Sequence, residues 1–258
     1  MSSQEETDTL SAERLPTIVA HRGASRDAPE NTLAAFNLAW EQGADAIECD
    51  VHLTKDGQIA VIHDANTERV AGTKLVVAHS TLEELQALNV AAFRDDACAP
   101  CKVPALRDVL ATVPSGKHIY IEIKSGPDLV PILLEQLEAS DIDREHVVVI
   151  SFNAATLHAC KRLAPTLKTF LLVQLQLDAA GTPRPSMMTL LESLLMTKAD
   201  ALSVGGSVPE AYVVELAAKG YEWHTWTLDT VAEARQAIRA GAESVTTNIP
   251  ALMKGELK

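Results

Sequence analysis

Short apolar runs alternate with longer amphipathic segments along nearly the whole chain, and this alternation limits the fold more than any other feature. Eight runs have the length and β-branched content of buried strands. They cover residues 17–21, 46–51, 118–124, 147–151, 169–174, 201–204, 223–228 and 244–247. Helical periodicity fills most of the intervals, at residues 32–42, 129–139, 154–163, 187–197, 210–219 and 231–240. Eight strands in βα order within 258 residues predict an α/β fold, a TIM (β/α)8 barrel.

Residues that favour helix ends flank several of these helical segments. Asn31 is a good N-cap for the first segment, and Pro209 is suited to open the fifth. Asp229 or Thr230 can cap the sixth. These signals support the helix boundaries independently of the apolar periodicity.

The interval between residues 63 and 118 is too long for a single crossover. It follows a predicted hairpin that turns at Lys55-Asp56-Gly57, and it contains two further helical patterns, at residues 82–88 and 105–113. We interpret residues 65–115, approximately, as a small insertion on the catalytic face after the second strand. The chain from residue 15 to residue 258 reads as one domain without repeat or linker, and residues 1–14 as a frayed polar lead.

The charge of the chain narrows the choice of partners. A net charge of −13 argues against nucleic acid and an anionic membrane surface, whereas a small phosphate ester stays compatible with one local cationic cleft. No apolar run approaches the roughly 20 residues of a membrane span, and the N-terminus lacks the pattern of a signal peptide. Four cysteines do not make a disulfide framework, so the expected location is the reducing cytoplasm.

Cys98 and Cys101 form a C-x-x-C pair within the proposed insertion. A structural zinc site needs two further ligands, and the sequence has no second pair of this kind. The pair also does not open a βαβ unit, as a thioredoxin-type motif does. We therefore expect a pair without catalytic role, with a reversible disulfide or an adventitious metal site as the alternatives.

Charged side chains gather where the apolar runs end, although burying them there is unfavourable unless something uses them. The active site of such a barrel lies at the carboxyl ends of its strands, where the sequence places His21, Arg22, Glu48, Asp50, His63, Asp64, Glu122 and Lys124. Glu48 and Asp50 are two residues apart and share one face of their strand. Glu122 alternates with three outward-pointing isoleucines and therefore points into the barrel.

The carboxylates Glu48, Asp50 and Glu122 predict a metal site. Three converging carboxylates repel one another, and one divalent cation with oxygen ligands resolves this repulsion. Mg²⁺ or Ca²⁺ fits such a site better than zinc, which prefers nitrogen and sulfur.

The basic residues of the same set predict chemistry on a phosphate ester. Arg22 offers a planar fork for phosphate, and Lys124 a point charge. His21 and His63 are candidates for general acid and general base, because the unperturbed pKa of histidine lies near neutral pH. Which histidine plays which part stays open, since it depends on where the leaving group lies.

Several short motifs in one order resemble the glycerophosphodiester phosphodiesterase family. They are His21-Arg22-Gly23, Pro29-Glu30-Asn31-Thr32, Glu48-Cys49-Asp50-Val51, Thr54-Lys55-Asp56-Gly57, His63-Asp64, Ile121-Glu122-Ile123-Lys124, Ser151-Phe152 and Trp226-Thr227. Each motif alone is weak, whereas the ordered set at these spacings is specific and spans residues 17–250.

The resemblance implies a metal-dependent hydrolase that cleaves glycerophosphodiesters, such as glycerophosphocholine or glycerophosphoethanolamine, to glycerol 3-phosphate and an alcohol. It implies a cyclic phosphate formed by the glycerol 2-hydroxyl and opened by water. By position, it assigns the metal to Glu48, Asp50 and Glu122, acid–base catalysis to His21 and His63, and phosphate contacts to Arg22 and Lys124. Trp226 is implied as a wall against the glycerol, and Glu30, Asn31 and Asp64 are interpreted as supporting residues.

Two departures from the family pattern leave the preferred alcohol open. The last strand is followed by Thr247-Asn248-Ile249-Pro250, where relatives often carry Asp in place of Asn248, and residues 203–207 are small where many relatives have a polar group. A lysophospholipase D-like phosphodiesterase is the alternative function, and a non-catalytic phosphate-binding barrel is a remote one. The aromatic content of 4% argues against the acyl-chain entrance that the former needs.

Overall fold

Eight parallel strands close into a barrel in the computed structural model, which describes residues 15–94 and 99–257. The strands of the described chain are β1 (Thr17–His21), β2 (Ala46–Leu53), β3 (Ile59–Val61), β4 (His118–Ile123), β5 (Val147–Ser151), β6 (Lys168–Gln174), β7 (Gln176–Leu177), β8 (Pro183–Arg184), β9 (Ala201–Gly205), β10 (Glu222–Trp226) and β11 (Ser244–Thr247). The barrel closes because β1 pairs in parallel with both β2 and β11. The predicted TIM barrel is confirmed.

Three of the strands lie outside the barrel wall. β3 pairs antiparallel with β2, and Gly57 lies in the turn that joins them, as the hairpin signal predicts. β7 and β8 form a small separate hairpin after β6. The strand predicted for residues 223–228 ends early, at Trp226, because its ladder with β9 ends there.

Helices separate most of the barrel strands. The described α-helices are α1 (Leu33–Glu41), α2 (Glu68–Ala71), α3 (Leu82–Gln86), α4 (Leu106–Leu110), α5 (Val130–Glu138), α6 (Ala154–Leu163), α7 (Met187–Thr197), α8 (Glu210–Ala218), α9 (Val231–Arg239) and α10 (Pro250–Glu256). Among these, α2, α3 and α4 lie in the long segment between β3 and β4, where α3 and α4 are shorter than predicted. No helix in the described part of the chain combines the length and apolar character that crossing a membrane requires.

The structure corrects one predicted helix cap and chooses between the two alternatives predicted for another. Thr32, not Asn31, is the N-cap of α1, since its hydroxyl accepts a hydrogen bond from the Ala35 amide. Thr230 rather than Asp229 caps α9, by accepting from the Glu233 amide. In both cases a hydroxyl serves the helix, and the neighbouring residue is free to make contacts elsewhere.

The two faces of the barrel strands bury different side chains, as the period of two predicts. Ile119, Ile121 and Ile123 belong to a core between the barrel and the surrounding helices, and Cys49 lies in the same core. Tyr120 points the other way and belongs to an interior cluster with seven further buried residues. Polar residues on the inward face therefore sit in an otherwise apolar barrel.

The segment between β3 and β4 has a core of its own. Val70, Val77, Leu82 and Leu85 are buried in a cluster that also includes Ile62. Cys101 is a free, half-buried cysteine, whereas Cys98 lies outside the described residues, so the role of the C-x-x-C pair stays a prediction. The segment nevertheless packs on the barrel closely enough to bring one of its side chains to the site described below.

A tight turn at the end of β1 sets the backbone of the motif His21-Arg22-Gly23. Arg22 and Gly23 both have positive φ, at 57° and 81°. A Cβ atom at Gly23 would lie 2.5 Å from the carbonyl carbon of Ala35. Only glycine fits there, because the chain at Gly23 passes directly against the backbone of α1.

Replacing Gly23 by Ala is expected to lower the free energy of unfolding by about 3 kcal/mol or more, since the strain at positive φ is joined by a backbone clash. Gly116→Ala is a matched control, because Gly116 has a φ of 77° and open space around the added methyl group. Its expected loss is about 1 kcal/mol. Urea unfolding of both variants measures the difference, and equal losses would show that the clash at Ala35 is relieved.

Candidate active site

The carboxyl ends of β1, β2 and β4 bring the predicted residues together. Because these strands are neighbours in the barrel, His21 is paired in register with Glu48, and Asp50 with Glu122. Glu48, Asp50 and Glu122 are all buried, and each offers a carboxylate oxygen within 4.8 Å of the others. The structure thus forms the carboxylate cluster that the sequence predicts, and we use that name for these three residues.

Two basic side chains hold the carboxylate cluster in place. Arg22 Nε lies 3.1 Å from Asp50 Oδ2, and Lys124 Nζ lies 3.1 Å from Asp50 Oδ1 and 2.6 Å from Glu122 Oε1. The backbone N–H of Arg22 donates to Glu48 Oε2 at 3.0 Å. Within the described part of the chain, the buried Glu48 Oε1 has neither a hydrogen-bond partner nor an ion pair. The cations are thus concentrated on Asp50 and not on Glu48.

The protonation of the carboxylate cluster follows from burial and mutual repulsion. Burial and the charge of Asp50 raise the pKa of Glu48 well above its ordinary value, and raise the pKa of Glu122 to about 7. Burial also opposes ionisation of Asp50, but Lys124 and Arg22 outweigh it and hold the pKa of Asp50 at about 2. Three acids beside two cations do not reach neutrality, so one more positive charge is needed to ionise all three.

Asn31 supports the carboxylate cluster from the turn before α1. Its amide nitrogen donates to Asp50 Oδ2 at 2.8 Å, and its amide oxygen accepts from the Asp50 backbone N–H at 3.2 Å. Asn31 has a positive φ of 56°, a conformation that asparagine tolerates better than most residues. The structure therefore gives Asn31 a contact with a cluster member in place of the predicted helix cap.

A chain of hydrogen bonds and ion pairs connects His63 to Arg22. His63 Nδ1 lies 2.6 Å from Asp64 Oδ1, and Arg69 Nε donates to Asp64 Oδ2 at 2.7 Å. The two terminal nitrogens of Arg69 donate to both oxygens of Glu30, at 2.9 Å and 2.7 Å. Glu30 Oε1 also accepts from Arg22 Nη1 at 2.9 Å. Glu30 and Asp64 lie next to the residues they were predicted to support, and Arg69 joins them.

His21 is held by a different kind of partner. Its Nδ1 lies 2.8 Å from Asn248 Oδ1, the amide oxygen of a neutral side chain. Burial, followed by the charge of Arg22, lowers the pKa of His21 to about 4. His21 is therefore neutral at physiological pH, and its environment contrasts with that of His63, which faces a carboxylate.

One cavity of about 290 Å³ is lined by two unlike kinds of side chain. The polar and charged kind comprises His21, Arg22, Glu48, His63, Glu122 and Lys124, and the apolar kind comprises mainly Tyr120, Ile150, Phe152, Leu172 and Trp226. Trp226 Nε1 donates to the Ser203 carbonyl at 3.1 Å, and the rings of Trp226 and Phe152 are perpendicular with centroids 5.6 Å apart. A larger cavity of about 900 Å³ elsewhere contains none of the predicted site residues.

Comparisons with known proteins identify the family to which the chain belongs. Residues 21–252 match the sequence profile of the Glycerophosphoryl diester phosphodiesterase family. The chain belongs to this family. A glycerophosphodiester phosphodiesterase of Caldanaerobacter subterraneus subsp. tengcongensis is 35% identical over 238 residues, which cover 90% of this chain and 94% of that protein. The chain is therefore a phosphoric diester hydrolase of the glycerophosphodiester class.

Two further proteins are similar to this chain. A lysophospholipase D of Rattus norvegicus is 28% identical over 267 residues, which cover 92% of this chain and 84% of that protein. The solved structure of an Oleispira antarctica phosphodiesterase, in complex with the product sn-glycerol-3-phosphate, superimposes with a TM-score of 0.82. That structure is 24% identical and covers 94% of this chain and 97% of its own, so the likeness concerns the fold.

Two residues that contact the partners of the histidines were not predicted from the sequence as part of the site. Arg69 lies on α2, a helix of four residues whose short length leaves no periodicity to interpret. Asp229 was interpreted only as a helix cap, and its contacts with Asn248 depend on how β10 and β11 pack. A weak signal existed in both cases, because Arg69 and Asp229 are charged residues beside the motifs His63-Asp64 and Trp226-Thr227.

The raised pKa of Glu122 predicts how the metal-free protein responds to pH. With a folded-state pKa of about 7, Glu122 keeps its proton in the folded protein at pH values where the unfolded chain has lost it. Its contribution to stability is therefore present at low pH and is lost as the pH rises through about 7. In EDTA, Glu122→Gln should flatten the decline in the free energy of unfolding between pH 5 and pH 8.

Urea unfolding at several pH values, with EDTA present, measures this slope. Glu135→Gln is the matched control, because Glu135 is an exposed carboxylate on α5, away from the carboxylate cluster. An unchanged slope in Glu122→Gln would contradict the repulsion that we assign to the carboxylate cluster.

Proposed function

We propose that the protein hydrolyses glycerophosphodiesters such as glycerophosphocholine or glycerophosphoethanolamine to glycerol 3-phosphate and an alcohol, by two-histidine acid–base catalysis that depends on one divalent cation. The observation that carries this proposal is one cavity that His21 and His63 line together with Glu48 and Glu122. Apolar side chains also line this cavity, and they have the character that the carbon skeleton of glycerol needs. The phosphate group would lie beside Arg22 and Lys124.

The carboxylate cluster fits a divalent cation. Its oxygens are the hard ligands that Mg²⁺ and Ca²⁺ prefer, and Glu48 Oε1 is a buried acceptor that no described residue contacts with a hydrogen bond. Two cations beside three ionised carboxylates leave negative charge uncompensated, and a bound cation would compensate it. The same excess of negative charge contributes to the raised pKa values of Glu48 and Glu122. Glu48, Asp50 and Glu122 would hold the ion, which when bound polarises a phosphoryl oxygen.

The remaining polar residues have separate tasks in this proposal. Arg22 and Lys124 bind phosphate oxygens and neutralise charge that develops on them. One histidine takes the proton of the glycerol 2-hydroxyl as its oxygen attacks phosphorus, and the other protonates the departing alcohol. Water then opens the cyclic phosphate, with the two histidines exchanging roles.

The apolar lining of the cavity and its small volume favour a small substrate and not a lipid. Trp226 is fixed by its hydrogen bond to Ser203 and by its contact with Phe152, and the volume of about 290 Å³ suits a glycerol phosphate. Activity as a lysophospholipase D, for which the rat relative is named, would need additional apolar surface for an acyl chain. A cytoplasmic location remains part of the proposal and rests on the cysteine usage of the sequence alone.

The first test measures hydrolysis of glycerophosphocholine, with glycerol 3-phosphate detected by a coupled dehydrogenase. Turnover should disappear in EDTA and return with Mg²⁺ or Ca²⁺. Glu48→Ala and Glu122→Ala should each lower kcat/KM by more than about 100-fold, because loss of a ligand exceeds the usual effect of losing an outer contact.

Glu145→Ala is the control for this experiment. Glu145 belongs to an exposed group with Asp143 and His146 that also brings three ligand atoms within 4.8 Å. The variant should keep full metal-dependent activity. Full activity in Glu48→Ala would contradict the metal assignment, and faster cleavage of lysophosphatidylcholine would favour the lysophospholipase D reading.

Arg69 generates a second prediction, because its guanidinium links Asp64 to Glu30. Arg69→Ala should lower kcat/KM by about 10–100-fold, the usual range for a residue that orients others. Arg69→Lys should recover only part of this loss, since an ammonium group cannot reproduce the planar fork that contacts both carboxylates. Steady-state kinetics measure both variants.

Arg107→Ala is the control, since Arg107 is an exposed arginine of α4 that donates to Gln58. Its removal should leave kcat/KM unchanged. If Arg69→Ala behaved like Arg107→Ala, the chain of hydrogen bonds and ion pairs would be dispensable for catalysis.

A further inference from the structure

The side-chain amide of Asn248 lies between His21 and the carboxylate of Asp229. Its amide oxygen lies 2.8 Å from His21 Nδ1 and accepts from the Ser25 hydroxyl at 2.8 Å. Its amide nitrogen donates to Asp229 Oδ2 at 2.6 Å. Asp229 Oδ1 accepts from the Asn248 backbone N–H at 2.8 Å and from the Thr247 hydroxyl at 3.0 Å. Both carboxylate oxygens of Asp229 therefore accept hydrogen bonds from groups of this one turn.

These contacts determine the orientation of the Asn248 amide. An ionised carboxylate only accepts hydrogen bonds, so the NH₂ group of Asn248 must face Asp229. The amide oxygen must then face His21. An amide oxygen carries no hydrogen, and the short contact is a hydrogen bond only if His21 Nδ1 carries the proton.

The orientation of the amide therefore selects the tautomer of His21. With the proton on Nδ1, the lone pair of the neutral ring lies on Nε2, and a neutral ring with a free lone pair can accept a proton but has none to give there. His63 has a different partner, because its Nδ1 lies 2.6 Å from a carboxylate oxygen of Asp64 and not beside a neutral amide. Since the proposed chemistry uses one histidine as proton acceptor and the other as proton donor, His63 takes the part of donor.

We propose that Asp229 is a positioning residue which, through Asn248, keeps Nε2 of His21 as the proton acceptor of the first chemical step, and that His63 is the donor. This inference rests on the proposed function. In that step the proton of the glycerol 2-hydroxyl moves to His21 Nε2, the bond between the 2-oxygen and phosphorus forms, and the bond from phosphorus to the alcohol oxygen breaks. The alcohol oxygen takes a proton from His63, so protons and charges balance.

The isosteric variant Asp229→Asn directly tests the hydrogen-bonded chain from Asp229 through Asn248 to His21. The oxygen of the new amide should take the position of Asp229 Oδ1, which accepts from two donors, and its NH₂ group then faces the NH₂ group of Asn248. This conflict is relieved when the Asn248 amide turns over and presents NH₂ to His21. The proton of His21 then moves to Nε2, and we expect kcat to fall by about 100-fold or more with little change in KM.

The tautomer is observed independently of turnover. Long-range ¹H–¹⁵N correlation spectra of ¹⁵N-histidine-labelled protein distinguish protonation at Nδ1 from protonation at Nε2, and His21→Gln assigns the signal. We expect the Nδ1–H form in the unchanged protein and the Nε2–H form in Asp229→Asn. If Asp229→Asn unfolds at the same temperature as the unchanged protein but has the other tautomer, its effect comes from the hydrogen bonds that join Asp229, Asn248 and His21. A general structural change would also shift the unfolding temperature.

The double variant Asp229→Asn with Asn248→Asp provides a rescue. Its amide at position 229 can donate to the carboxylate at position 248, which accepts from His21 Nδ1, so the original tautomer and kcat within about tenfold of the unchanged protein are expected. Asn153→Asp is the matched control for exchanging amide and carboxylate, because the Asn153 side-chain oxygen only caps α6. It should change neither readout.

Three outcomes would overturn the inference. They are an Nε2–H ring in the unchanged protein, an Asp229→Asn variant that keeps both the Nδ1–H ring and its kcat, and a double variant no more active than Asp229→Asn. If the unchanged protein cleaves no glycerophosphodiester under any metal, the proposed function fails. The spectra still decide whether Asp229 controls the tautomer, so the two failures are distinguishable.

Discussion

The mutual repulsion of three buried carboxylates is the constraint on which the rest of the site depends. Neighbouring barrel strands in fixed register force Glu48, Asp50 and Glu122 together, and the apolar surroundings strengthen their repulsion. Arg22 and Lys124 reduce the repulsion, mainly at Asp50. At the end of β1, Arg22 adopts a left-handed backbone conformation. In this conformation its backbone N–H contacts Glu48 and its guanidinium contacts Asp50.

The charge that stabilises the site comes from outside the barrel as well as from within it. Arg22 contacts Asp50 on one side and Glu30 on the other, and Glu30 is shared with Arg69 from the segment after β3. Arg69 also holds Asp64, the neighbour of His63. The segment between β3 and β4 is therefore coupled to the barrel through alternating charges, and its own buried core keeps α2 where Arg69 can reach both carboxylates.

Most of the barrel and the identity of the carboxylate cluster could be predicted from the sequence, because both follow from local periodicity. A period of two separates Glu122 from the isoleucines beside it, and parallel strands end on one face. The partners of these residues could not be predicted in the same way. Arg69 is on a helix too short to show a pattern, and Asn31 is one residue from the true cap, so a local rule that fits two adjacent residues could not choose between them.

The two histidines show why residue identity alone leaves a mechanism undecided. Both follow an apolar run and precede a charged residue, and the sequence treats them as equivalent. In the structure one faces the neutral amide of Asn248 and the other the carboxylate of Asp64. Asp64 places a negative charge beside one ring, whereas the amide oxygen of Asn248 fixes the tautomer of the other without adding charge. The difference arises from partners contributed by opposite ends of the chain, which only closure of the barrel between β1 and β11 brings to the same rim.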